Sequence, residues 1–289
     1  MLPAKMYRLC NSQYIHKALK LRCMCTISIE SNVIPIPENI TYIAKQLNIN
    51  NIMLANIVSK HQDKLKLHSV SRWMEIFDYM SQYDFKKSEL LEMIDSNPDL
   101  LSISRNDLHE CMFAWTNCHF EDKKLRQLLV AQPSCLLLNQ KQILSRIPKL
   151  LPFIGNKHNR LLELISYSPN VMFDNWKEIE KKLNYILFKM ELGPNQFVTT
   201  SVMSETLFDL QCRHTFLCKL GLWKNRDPKD SVNQLSGNPS LKRMIETSEK
   251  EFAVKVAAVT VEEFIVYKQL YSKENEQNNS DSDIEEDND

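Results

Sequence analysis

Cys212, His214 and Cys218 fall within one short segment, as do Cys111, Cys118 and His119, and thiolate and imidazole are the groups that hold zinc. Neither set has the spacing of a compact zinc site, because the chain contains no C-x2-C pair. His109-Glu110 opens like a zinc-protease helix, but Phe113 stands where the second histidine would be needed. There is no GxSxG nucleophile elbow. The four glycines, Gly155, Gly193, Gly221 and Gly237, are too scattered for a phosphate-cradling loop or a dinucleotide fingerprint. Cys111, Cys135, Cys212 and Cys218 are therefore read as small core residues with reduced thiols. The chemistry expected is binding, with no catalytic residue, metal or cofactor.

The residues suited to binding are cations that return along the chain: Lys123 and Arg126, Arg146 and Lys149, Lys157 and Arg160, then Lys182 and Arg213. Lys124, Lys141, Lys177, Lys181, Lys189 and Lys219 widen the set. On elements that repeat in space, one or two such residues per unit make a continuous track for a phosphate backbone. The competing reading is that long basic side chains solvate outer helix faces.

The positioning elements follow from a repeat centred on Pro98, Pro133 and Pro169. Aliphatic residues lie eight positions before each proline (Leu90, Leu125, Leu161), and apolar pairs lie five and four before (Met93/Ile94, Leu128/Leu129, Leu164/Ile165). That spacing predicts a short amphipathic helix. The proline ends it, having no amide donor and excluding the preceding residue from the helical region. Six positions after the proline come Ser104, Asn139 and Asn175, which are helix N-cap types, with Glu178 placed to complete a capping box with Asn175. A longer second helix follows, whose seam in the third copy runs Trp176, Ile179, Leu183, Ile186, Leu187 and Met190. Gly155 and Gly193 are read as C-caps.

Neither helix of such a pair can bury its apolar face alone, so neighbours must stack. The fold class expected is all-α, an α-solenoid of right or left hand with a C-terminal helical cap. Divergent copies are placed upstream around Asp63 (Val58, Leu65, Ser69, Trp73, Phe77, Met80) and downstream around Glu205 or Thr206 (Val198, Val202, Phe208, Phe216, Leu220). The repeats are assigned to residues 36–222, and a cap and docking region to 223–272. In the cap, Leu241, Ile245, Phe252, Val256, Phe264 and Tyr267 are the candidates for contact with a protein partner.

Net charge is zero but partitioned. The first 29 residues carry Lys5, Arg8, Lys17, Lys20 and Arg22 with no acid, so residues 1–30 read as a mitochondrial presequence directing the chain to the matrix. Residues 273–289, ending in SDSDIEEDND, read as a disordered acidic tail.

LLEMIDSNPDLL, LRQLLVAQPSCLL and LLELISYSPNVM, together with RHTFLCKLGLW (Arg213 to Trp223), resemble the mitochondrial transcription termination factor (mTERF) family. The resemblance implies a nucleic-acid groove and no enzymatic activity. The segment from Asn238 to Tyr271 is similar to the family member that pairs its repeats with a mitochondrial rRNA cytosine-5 methyltransferase. That implies an adaptor which binds mitochondrial rRNA, recruits the enzyme and supports assembly of the large ribosomal subunit. A duplex-DNA regulator of mitochondrial transcription and a protein-only scaffold are the alternatives. No membrane partner is expected.

Overall fold

The computed structural model describes residues 38–224 and 237–285, with side chains through Gln277. The presequence reading lies outside the described residues. Among those described, all regular elements are helical. In order they are α1 (Glu38–Leu47), α2 (Asn51–Lys60), α3 (Gln62–Leu65), α4 (Val70–Ser81), α5 (Lys87–Ser96), α6 (Arg105–Thr116), α7 (Asp122–Ala131) and α8 (Gln140–Leu150). Then come α9 (His158–Tyr167), α10 (Trp176–Asn184), α11 (Pro194–Phe197), α12 (Leu207–Lys219), α13 (Leu241–Ile245), α14 (Glu249–Glu251) and α15 (Val261–Glu285).

Each clear repeat is a first helix, a 3-10 turn that begins at the proline, and a second helix. Asn97, Gln132 and Ser168 leave the helical region at φ −143°, −130° and −140°, as the residue before a proline must. The 3-10 turns Pro98–Ser102, Pro133–Leu137 and Pro169–Met172 bury the apolar pairs that follow each proline. Ser104, Asn139 and Asn175 then cap the second helices, accepting from the amides of Asp107, Gln142 and Lys177. The capping box, however, belongs to Asn139 and Gln142. Glu178 turns instead to Lys181 at 3.2 Å.

The structure extends the array beyond the three prolines. Ser69, Thr206 and Ser248 each cap a helix in the same manner. The downstream register is corrected by this. Thr206 is the N-cap, so the position equivalent to the proline is Thr200, not Glu205 or Thr206. Second helices also end alike, in a residue with left-handed backbone: Asn48, Asp84, His119, Asn156 beside Gly155, Glu191, Gly221 and Ala258. Gly193 is not among them. It sits at φ −77° as the N-cap of α11, and Glu191 makes the left-handed turn in its place. Asn, Asp and His accept this conformation better than most residues, which is why glycine alone is a poor guide to these ends.

α10 and α14 both run on into π-helical turns, Tyr185–Lys189 and Phe252–Val256, before their left-handed residues. The C-terminal cap thus repeats the second-helix pattern in degenerate form, as terminal units of a solenoid do. α15 continues to Glu285, so the segment from 273 opens as helix and not as a disordered tail.

Contacts between units follow the period. Lys60 Nζ meets Asp95 at 2.9 Å, Lys64 Nζ meets Asp99 at 2.7 Å, and Gln132 Nε2 donates to the Ser166 carbonyl at 3.0 Å. Ser168 Oγ, wholly buried, donates to the Thr200 carbonyl at 3.1 Å. Apolar seams fill the space between: Leu108 and Met112, Ile143 and Ile147, Ile179 and Leu183 are all buried.

Candidate nucleic-acid interface

The eight cations singled out in the sequence divide by what they touch. Seven residues after their N-caps, Arg146, Lys182 and Arg213 occupy one register on successive second helices, each three residues beyond a buried Ile143, Ile179 or Leu210. That register points inward. Arg146 Nη2 donates to the Asp174 carbonyl at 2.7 Å, and Lys182 Nζ to the Met203 carbonyl at 2.9 Å. Arg213 Nη1 reaches the carbonyls of Met244 at 2.7 Å and Thr247 at 2.9 Å, with its guanidinium 5.0 Å from the Phe252 ring centroid. Each thereby satisfies backbone acceptors in the next unit that no helix pairs. The first clear copy has Cys111 at this position, and there the Trp115 indole serves the Cys135 carbonyl at 3.2 Å.

Lys182 and Arg213 are buried, so they are corrected from nucleic-acid contacts to inter-repeat fasteners. Burial pushes the Lys182 ammonium below its ordinary range, and does the same to the Arg146 guanidinium. Arg126 and Arg160 are half-buried and also donate to backbone. Arg126 Nη1 bonds the Asp84 carbonyl at 3.1 Å, and Arg160 Nη1 the Ile154 carbonyl at 3.2 Å beside the left-handed Gly155. Lys123, Lys149 and Lys157 are exposed.

One set of exposed cations lies where second helices end and the next first helices begin. Lys86, Lys87, Lys123, Lys157, Lys189 and Lys219 all lie in or beside these connections and are exposed. Lys124, also there, is paired to Glu121 at 2.9 Å. Asp84, Asp122 and Glu191 are the other exposed acids of these connections, so the edge is positive on balance. A cleft of about 250 Å³ opens on it, but Asp84 and Asp122 line the cleft and make it unsuited to a phosphate.

The partner candidates in the cap are corrected as well. Leu241, Ile245, Phe252, Val256 and Phe264 are buried, and Tyr267 is half-buried. Phe216 is the hub. Its ring lies 5.2 Å from Phe264, 6.4 Å from Phe252 and 4.7 Å from Tyr267, and the Tyr267 hydroxyl bonds Thr215 at 2.8 Å. Lys268 joins Asp209 of α12 and Glu249 of α14, each at 2.7 Å. The exposed apolar residues of the cap are instead Val254 and, on α15, Ile265, Val266 and Leu270, each at least two-fifths exposed. α15 carries apolar residues on both sides, so spacing alone did not say which side packs.

The thiols follow the sequence reading except one. Cys111, Cys135 and Cys212 are buried, and burial pushes Cys111 and Cys135 up to about 12. Cys218 is exposed, with Sγ 3.5 Å from His214 Nε2, while Tyr185 bonds His214 Nδ1 at 2.7 Å. Burial lowers His214 to about 4. Among the described residues no group of three or more His, Cys, Asp or Glu is arranged to hold a metal ion.

Stacked helical pairs broken at a proline turn, fastened one unit to the next and edged with lysine, define a helical-repeat binding protein. The chain belongs to the mTERF family, whose model matches residues 6–253. It is similar to a mouse (Mus musculus) protein named transcription termination factor 4, mitochondrial, at 27% identity over 184 residues, covering 63% of this chain and 52% of that protein. The chain thus spans about half the length of that relative.

Proposed function

We propose that this protein is a non-enzymatic mitochondrial adaptor, which binds ribosomal RNA along its lysine edge and brings an rRNA cytosine-5 methyltransferase to the large ribosomal subunit. The observation that carries this reading is that two kinds of exposed surface are present. The lysine edge suits a phosphate backbone, and the exposed apolar residues Val254, Ile265, Val266 and Leu270 in the cap suit a protein. The mitochondrial address rests on the acid-free basic start and on the name of the mouse relative. That name also favours a second reading, a duplex-DNA regulator of mitochondrial transcription.

Ultraviolet crosslinking in intact mitochondria, with bound RNA and DNA sequenced in parallel, separates the two. Ribosomal RNA is the expected product, and enrichment of promoter or termination regions would transfer the case to the second reading. The adaptor half is tested by Val266→Glu with Leu270→Glu. These exposed changes should leave RNA binding intact and abolish co-purification of the methyltransferase. Retention of the enzyme would remove these cap residues from the proposal.

A further inference from the structure

Resting on the nucleic-acid reading, we infer that Trp176, framed by Arg146 and Lys149, is a stacking platform for an unpaired base of RNA. Three of the four tryptophans are core residues: Trp73, Trp115 and Trp223 are 1%, 0% and 4% exposed. Trp176 is half-buried at the first position of α10, although it heads a seam in which Ile179, Leu183 and Ile186 are fully buried. Its ring is therefore held by the fold without being consumed by it.

Three neighbours define the platform. The Phe153 ring stands edge-on at 6.1 Å and fixes the plane of the indole. The Arg146 guanidinium lies 5.6 Å from the ring centroid and the Lys149 ammonium 5.4 Å. They are not equivalent. Arg146 is anchored through Nη2 to the Asp174 carbonyl, and its Nη1 is buried without a hydrogen-bond acceptor. Lys149 is exposed on a flexible stem, so a base can displace it from the ring while its charge meets the adjoining phosphate. Exposed Lys177 follows Trp176 in the chain.

An aromatic face with cations at its margin matches a base attached to phosphate, and stacking tolerates any of the four bases. A paired duplex keeps its bases stacked on one another, so the platform favours loops, bulges and ends. A purely structural cation–π cluster would have no such preference.

The experiment uses the full chain, with Trp176→Phe, which keeps a ring, and Trp176→Leu, which keeps apolar volume without one. Fluorescein-labelled RNA of about 12 nucleotides, unpaired or as a blunt duplex, is titrated by anisotropy while tryptophan emission is followed. The wild type should show quenched emission with unpaired RNA only. Trp176→Phe should bind within about twofold of wild type, and Trp176→Leu should lose about tenfold for unpaired RNA and nothing for duplex. Equal affinity of all three proteins for unpaired RNA would overturn the platform while leaving RNA binding in place. Equal loss for both RNAs would overturn it too, by assigning Trp176 to folding or to charge placement. A wild type that binds neither RNA at low salt would remove the nucleic-acid reading and the platform with it.

Discussion

His214 is the clearest titrating feature at the scale of single residues. It is 5% exposed, shares a hydrogen bond with Tyr185 through one ring nitrogen and with Cys218 through the other, one as donor and one as acceptor, and meets Trp223 edge-on at 5.0 Å. Burial disfavours the imidazolium, which lowers the group from 6.5 to about 4. Between those values the unfolded chain takes up a proton that the folded one refuses, so stability falls as pH drops from 6.5 towards 4. The full loss amounts to about 3 kcal/mol. Urea unfolding at pH 7 and pH 5 should therefore show a drop in wild type that is largely absent in His214→Gln. An equal drop in both proteins would assign the acid sensitivity elsewhere. The buried cations illustrate a different lesson of this scale. Arg146, Lys182 and Arg213 look like phosphate contacts in a one-dimensional sequence, because a charge does not announce its direction. Aligning Asn139, Asn175 and Thr206 as N-caps puts all three in one column behind Ile143, Ile179 and Leu210, where the helix period already points inward.

At the scale of elements, the ends of the second helices hold the readiest gain in stability. Ala258 is exposed and adopts φ 56° after the π-helical turn Phe252–Val256, a conformation in which its methyl group crowds the following carbonyl. Ala258→Gly should stabilise the protein by about 1 kcal/mol, despite the added entropy of the unfolded chain. Chemical denaturation reads this directly, and a destabilised variant would mean that the methyl group contributes packing greater than its strain. The elements were largely legible beforehand where a strong signal marks them. Prolines fixed the breaks, and Ser104, Asn139 and Asn175 fixed the starts. Less legible were the ends, since Asp84, His119, Glu191 and Ala258 turn left-handed without glycine. The face of α15 was hidden for another reason: Phe264 and Ile265 are adjacent, equally apolar, and only one of them meets Phe216 and Phe252.

For the whole molecule, binding is a property of the edge and not of any one lysine. Replacing Lys123, Lys157, Lys189 and Lys219 together with glutamine should weaken binding of single-stranded RNA and flatten its logarithmic salt dependence by about 3, near 0.7 for each phosphate that is no longer neutralised. Duplex DNA, if it is the true ligand, should show a change nearer 0.9 for each such phosphate. An unchanged slope would place the phosphate path on another side of the solenoid. None of these lysines is buried, so the variant should keep the thermal stability of wild type.

The bonds between units carry a further consequence. Lys60 with Asp95, Lys64 with Asp99, and Lys124 with Asn159 at 3.3 Å join residues 35 positions apart. Ser168 Oγ and the Thr200 carbonyl are 32 apart, in the shortened unit that follows. Each of these bonds spans one period and joins adjacent units. Tandem duplication of residues 104–138 adds one whole period, so a bond to backbone such as Gln132 to the Ser166 carbonyl finds an equivalent carbonyl at the new junction, whereas Lys124 would meet a second Lys124 in place of Asn159. An insertion of half that length strands the Gln132 donor as well. Growth of the molecule is quantised, and the reach of its edge along a ligand changes in whole units.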